Sequence, residues 1–233
     1  METSGNPFVV AADAAAVDRA AFIRRTYLHL AGAVLAFVLL EAVLLSLPVT
    51  QNLVGLMLGG PGWLITLGAF IGVSWMADKW ARSNVSPGRQ YLGLGLYVVA
   101  ESIIFLPLLF VAAYYSDPTV IPMAGIITAL LFAGLTATAF ITRADFSWLA
   151  SLLTIGGFIS LGLIVCSIVF GFTLGLLFSG VMVLFAAGSI LYTTSNLIHH
   201  YRTDQHVAAS LALFAGVMLL LWYVLRFVMG SRK

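Results

Sequence analysis

Charge is scarce in this chain. Lys, Arg, Asp and Glu together make up 9% of its 233 residues, against about 25% in an average soluble domain, and that shortage argues against a water-soluble fold. The net charge is only +2, and the basic residues stand singly or in twos and threes, so there is no stripe for nucleic acid, which is not expected as a partner. Cys166 is the single cysteine, which rules out an intramolecular disulfide and a cysteine-based metal site. The opening residues lack the basic start followed directly by an apolar core that marks a secretory signal, so the N-terminus is expected to be retained. Catalytic signatures are also missing. There is no Gly-x-Ser-x-Gly elbow, no histidine at membrane depth, no pair of intramembrane aspartates and no phosphate-binding glycine loop, so neither an enzyme nor a cofactor is expected.

Apolar residues are what the chain has in abundance: 61% of the sequence, with a mean hydropathy of +1.06. Apolar windows fall at 26–47, 61–76, 91–114, 120–141, 146–170, 172–195 and 207–229, and most have the length of a membrane span. Turn residues separate them: Pro48, Gly59-Gly60-Pro61, Ser86-Pro87-Gly88, Asp117-Pro118 and Gly171. Strands of a β-barrel would alternate apolar and polar residues over about ten positions, and these windows do not. The pattern predicts an all-α membrane protein, a seven-transmembrane-helix bundle. Residues 1–25 read as a short cytosolic lead-in with Pro7, and Asp13 as the N-cap of a helix running into the first span. Residues 26–230 read as one membrane domain and 231–233 as a tail.

Alternation of seven spans puts Arg19, Arg24, Arg25, Lys79, Arg82, Arg89, Arg143 and Arg202 on one side, and Arg226, Arg232 and Lys233 on the other. Eight against three predicts a cytoplasmic N-terminus by the positive-inside rule. The C-terminus then lies outside, although the basic tail works against it.

Two carboxylates interrupt the apolar windows. An ionisable side chain at a helix centre in lipid costs on the order of 3 kcal/mol on insertion scales and is a functional candidate by default. Glu101 lies midway along the third window with Pro107 later in the same helix, where proline frees a carbonyl and favours a kink. Glu101 reads either as a protonatable gate beside that kink or as a neutral acid hydrogen-bonded to a neighbouring helix. Glu41 stands nearer a span end, where its carboxylate reaches toward the headgroups. His29 reads as an interfacial anchor. His199, His200, Asp204 and His206 match no metal-ligand spacing and read as a solvated loop. Arg226 either snorkels to the interface or pairs with an acid inside the bundle, with snorkelling favoured. Gly156, Gly157, Gly162, Gly171, Gly175, Ala186, Ala187 and Gly188 suit close helix packing. The run Tyr192-Thr193-Thr194-Ser195-Asn196 lines a pore mouth or satisfies helix-end carbonyls.

The end of the chain, GSILYTTSNLIHH followed by AASLALFAGVMLLLWYVLRFVMG, resembles the last two helices of the Bax inhibitor-1 (YccA-like) family. LPLLFVAAYYS is similar to the family's proline-containing third helix, ITRADFSWLASLL to the segment opening its fifth, and IRRTYLHLAG to the entry of its first helix in the YccA-like branch. The resemblance covers about 23–230 in order. It implies a seven-helix fold with the last helix central, placed in a bacterial inner membrane. Members are linked to calcium or proton leak and to control of cell death or membrane-protein proteolysis, so the implied partners are the lipid bilayer, a membrane protease or other membrane proteins, and calcium or protons. Channel-like members share a proton between one aspartate in each of the last two helices. Thr193 and Gly216 stand at those positions here, and neither side chain titrates, so a proton-sharing pair cannot operate. Tyr192, Ser195 and Arg226 match the family's motifs. Two functions follow: a non-catalytic modulator of other membrane proteins, or an ion leak in which Glu101 takes the protonatable role.

Overall fold

The computed structural model describes residues 9–82 and 86–232, so Pro7 and Lys233 lie outside the described residues. Eight helices follow one another: α1 Ala16–Ser46, α2 Thr50–Leu58, α3 Gly62–Ala81, α4 Pro87–Tyr115, α5 Val120–Thr142, α6 Leu149–Phe170, α7 Leu176–His199 and α8 His206–Ser231. Six of them, α1 and α4 to α8, are by themselves long and apolar enough to cross a membrane, and a seventh crossing exists only if α2 and α3 count as one span. That pair is bent by 97°. The break falls on Gly59-Gly60-Pro61, where Gly60 takes a left-handed φ of +51° and proline brings no N–H to continue a helix. The second window, 61–76, falls within α3, whereas α2 lies in the stretch between the first two windows, where no helix was expected.

Helix boundaries follow local chemistry. Ser86 caps α4 by accepting from the Arg89 amide at 3.4 Å, and Pro87 fills the first turn. Asp13, expected as the N-cap of α1, does not serve as one. The helix begins at Ala16 with Ala15 at the cap position and no side-chain capping bond. Asp13 lies instead in a turn whose amide donates to Val10 O at 3.0 Å. Arg19 reaches back to hold the turn, donating to Ala11 O at 2.8 Å, Ala12 O at 2.9 Å and Ala14 O at 3.1 Å. The lead-in is tied to the loop before α8. The Ala11 amide donates to Tyr201 O at 2.8 Å and the Thr203 amide to Val9 O at 3.1 Å.

Burial is uneven. In the apolar window of α8, 72% of residues are buried inside the protein, whereas no residue of the α6 window is. α8 packs against α7, α5, α1, α4 and α3, while α6 packs closely against α7. α1, α4 and α8 run in the same direction. The His29 and His206 rings lie 5.1 Å apart and those of His29 and Tyr91 5.4 Å apart at one end, Phe37 meets Phe105 edge-on at 5.1 Å in the middle, and Arg232 pairs with Asp117 at 3.1 Å at the far end. Ser210, fully buried, joins α8 to α1 by donating to Thr26 O at 2.9 Å.

Between α3 and α4 the crossing is tight. A Cβ on Gly93 would stand 2.6 Å from Ala77 O and 2.7 Å from the Ala81 amide nitrogen, both backbone atoms. Gly93→Ala is expected to destabilise the protein by about 1–3 kcal/mol through overpacking. A drop in the thermal midpoint in detergent checks this, with Gly95→Ala, whose Cβ meets nothing within 4 Å, leaving the midpoint unchanged.

Candidate functional site

Glu101 sits on the buried face of α4 with Tyr97, Ile104 and Phe105, spaced three and four residues apart and turned toward α3 and α8. Its residue is only 5% exposed. The Tyr97 hydroxyl is set against its carboxyl, one turn earlier on the same helix, and also against the Ser74 hydroxyl on α3. A cavity of about 350 Å³ opens beside Glu101, and Gly216 and Arg226 of α8 line it as well. Three of the residues singled out in the sequence therefore share one space. Aromatic rings form much of its wall: Trp63 stacks on Trp222 at 6.0 Å, and Phe105 meets Trp222 edge-on at 5.0 Å. Arg226 has no carboxylate within ion-pairing distance among the described residues, so its guanidinium faces the cavity with Tyr223 beside it.

A second, larger hollow of about 730 Å³ lies toward the end of the bundle that carries the α1 N-terminus. Tyr192 and Thr193 line it with Arg82, Asn196, His200, Tyr201 and Gln205. Ser189 and Ala212 belong to the walls of both hollows, which thus abut. Thr193 and Gly216 do not share a cavity: the first faces the outer hollow and the second the inner one. A Cβ at Gly216 would come within 3.1 Å of Ile190 Cγ1 on α7, so a larger side chain there requires the Ile190 side chain to give way slightly.

Ser195 and Pro107 line neither hollow. Ser195 is fully buried and fastens the loop between α5 and α6, accepting from the Phe146 amide at 2.9 Å and donating to Ala144 O at 3.2 Å. His199 helps the same loop through a 3.2 Å contact with Arg143 O, where Arg143 closes α5 in the left-handed conformation with φ 50°. Pro107 is buried, and α4 continues through it to Tyr115. Glu41, expected to reach toward the headgroups, is buried within the protein. It continues the buried stripe Phe22, Thr26, Leu30, Ala33, Phe37, is 4% exposed, and neither carboxyl oxygen has a hydrogen-bond partner among the described residues. Among the described residues no group of three or more His, Cys, Asp or Glu side chains is placed to hold a metal ion.

The charged rim is ordered by short contacts. Arg82 Nε bonds both Asp78 oxygens at 2.9 Å. Burial pushes the Tyr201 phenol up, while the neighbouring Arg82 guanidinium works the other way. The Ser147 amide, donating at 2.9 Å, holds the Asp145 carboxyl below its ordinary value. At the far end hydrogen bonds from Thr119 lower that of Asp117. Tyr97, Arg82, Ser189, Tyr201 and Tyr223 complete the site without having been singled out in the sequence. Only Tyr97, four residues before a buried acid, carried a local signal.

The profile of the family described as "Inhibitor of apoptosis-promoting Bax1" matches residues 19–233. The chain belongs to this Bax inhibitor-1 family. Among its relatives is an uncharacterized protein of Pseudomonas aeruginosa, 36% identical over 163 residues, covering 67% of this chain and 69% of the relative. Two Escherichia coli proteins are each 29% identical over 167 residues, covering 70% of this chain and 72% of theirs. That of strain K12 is named "Modulator of FtsH protease YccA" and that of strain O6:H1 "Inner membrane protein YccA". The chain is thus an all-helical membrane protein of the Bax inhibitor-1 family.

Ser195→Ala leaves the half-buried Phe146 amide without its acceptor. A loss of about 1 kcal/mol is expected for one such hydrogen bond, read as a lower thermal midpoint in detergent together with faster tryptic cleavage after Arg143.

Proposed function

We propose that this protein is a non-catalytic modulator of membrane-protein quality control that acts by binding a membrane protease or the proteins delivered to it. In this reading the protein sits in a bacterial inner membrane with its N-terminus in the cytoplasm. Residues 26–230 form one domain of seven spans, the bent pair α2–α3 counting as one and α8 as the axis of the bundle. Burial of α8 against five other helices supports that axis. The gathering of Arg19, Arg24, Arg25, Lys79, Arg82, Arg89, Arg143 and Arg202 toward one end supports the orientation.

The observation that carries the functional reading is the neutrality of positions 193 and 216, which moreover face separate hollows. A device that passes a proton between those two sites has nothing to pass it with. The name of the E. coli K12 relative, a modulator of a protease, agrees with a role that needs no such device.

A second reading, an ion leak with Glu101 as its protonatable group, is favoured by the abutting hollows that lead to Glu101 from one end. Protons suit it better than calcium. Ca²⁺ takes 6–8 oxygen ligands, and the inner cavity offers one carboxylate with a guanidinium on the same wall. Pro107, Tyr192 and Ser195 have supporting parts in either reading: the first shapes α4, the second lines the outer hollow and the third fastens a loop.

Two measurements separate the readings. Under the modulator reading, a membrane-bound protease co-purifies with the tagged protein from native membranes, overproduction changes the half-life of that protease's membrane substrates several-fold, and Glu101→Gln leaves both results unaltered. Liposomes carrying the purified protein then pass neither protons nor calcium at any pH. A pH-dependent flux abolished by Glu101→Gln, with unchanged substrate half-lives, overturns the modulator reading in favour of the leak.

A further inference from the structure

The outer hollow has a chemistry that neither reading uses. Its wall presents hydrogen-bond donors, among them Arg82, Tyr192, Asn196, His200, Tyr201 and Gln205, and among the described residues no carboxylate lines it. Two acids beside it are already engaged. Asp78 holds Arg82 by its Nε and the Tyr201 hydroxyl lies against the same guanidinium, which fixes its orientation, and Asp145 takes the Ser147 amide. A planar guanidinium fixed in this way, flanked by phenol, amide and imidazole donors, matches the oxygens of a phosphodiester.

Arg82, just after α3, and Ala150, Leu153 and Thr154 of α6 line the hollow, yet α6 packs closely against α7 while α3 packs against α4. α3 and α6 thus meet across the hollow without packing closely on each other, and in a bilayer such a seam would give acyl chains a way out. Further along the same seam Leu67 of α3 and Ile164 of α6 line the inner cavity, which gives an apolar continuation for a chain leaving the polar end. Basic pockets between transmembrane helices at the end rich in Lys and Arg bind anionic headgroups.

We propose that the outer hollow is a headgroup site for a phospholipid with an anionic phosphodiester and no amine, of the phosphatidylglycerol type, whose acyl chains leave between α3 and α6. The missing carboxylate sets the selectivity: the wall receives a phosphate but gives a headgroup ammonium no partner. The site is independent of whether the protein modulates a protease or leaks protons.

The test is lipid retention by the full-length protein, delipidated in mild detergent and then offered phosphatidylglycerol, phosphatidylethanolamine or phosphatidylcholine, with native mass spectrometry counting bound lipid. Phosphatidylglycerol is expected to be retained about tenfold better than either amine-bearing lipid, as suits one charge-assisted bidentate contact. Arg82→Gln is expected to reduce retention about fivefold or more, and Thr154→Trp, which fills the hollow from the α6 side without altering charge, to do the same. Lys79→Gln removes a cation at the same end, one seated over the Trp75 ring at 5.2 Å and absent from the wall, and is expected to bind as the unaltered protein does. Equal retention of the three lipids, retention unchanged in both Arg82→Gln and Thr154→Trp, or displacement of the lipid by millimolar inorganic phosphate would overturn the proposal; the last outcome marks a site for free anions.

Discussion

Helices in lipid gain nothing by hiding apolar surface from one another, because the solvent is as apolar as they are, so close backbone approach and internal hydrogen bonds must hold them together. The arrangement around α8 depends on that constraint. Its first buried turns are small, with Ala208, Ala209 and Ser210, and this lets Ser210 reach the Thr26 carbonyl of α1. Gly93 does the same for α3 and α4, where only a hydrogen atom fits against the backbone of Ala77 and Ala81. Larger side chains take over further along, and the ring contacts of Phe37, Phe105 and Trp222 join α1, α4 and α8.

Polar groups within the bundle are dealt with one by one. Ser195 bonds a loop, Ser102 donates to Val98 O at 3.1 Å within its own helix, and Ser210 links two helices. What is left over is concentrated where space exists: Glu101 and Arg226 on the inner cavity, and the donors around Arg82 in the outer one. A guanidinium shares that cavity with the acid, which disfavours a permanent cation site. Thr193 on the outer hollow and Gly216 on the inner one add no titrating group to either. Glu41 is the exception, a carboxyl buried on α1 with no partner among the described residues.

Much of the fold was legible in the sequence, because a 20-residue apolar run has few alternatives in water. The ends of α4, α5 and α7 fall close to the windows read from hydropathy, and Gly171 and Pro87 mark real boundaries. α2 was missed because its nine residues are too short for a span and fell between the windows 26–47 and 61–76, in a stretch read only as turns at Pro48 and Gly59-Gly60-Pro61. In the site, Glu101, Gly216 and Arg226 were found because a charge or a gap stands out against hydrocarbon. Ser195 was read either as part of a pore mouth or as satisfying helix-end carbonyls, since nothing local reveals that its partners lie 49 and 51 residues earlier. Arg82 and Tyr201 escaped notice for the opposite reason: at a helix end, a basic or phenolic side chain looks like every other interfacial anchor.

The tie between the start of the chain and the loop before α8 bears on how the protein is made. Val9 and Ala11 bond to Thr203 and Tyr201, and Thr26 offers its carbonyl to Ser210, so the first helix to leave the ribosome has its partners in the last one. Until synthesis is nearly complete, α1 has the cover of α4, where Phe37 meets Phe105, but not that of α8. A nascent chain cut short before α8 would leave the Thr26 carbonyl without Ser210 and the side that α8 takes open, a mark that sets an unfinished copy apart from a finished one.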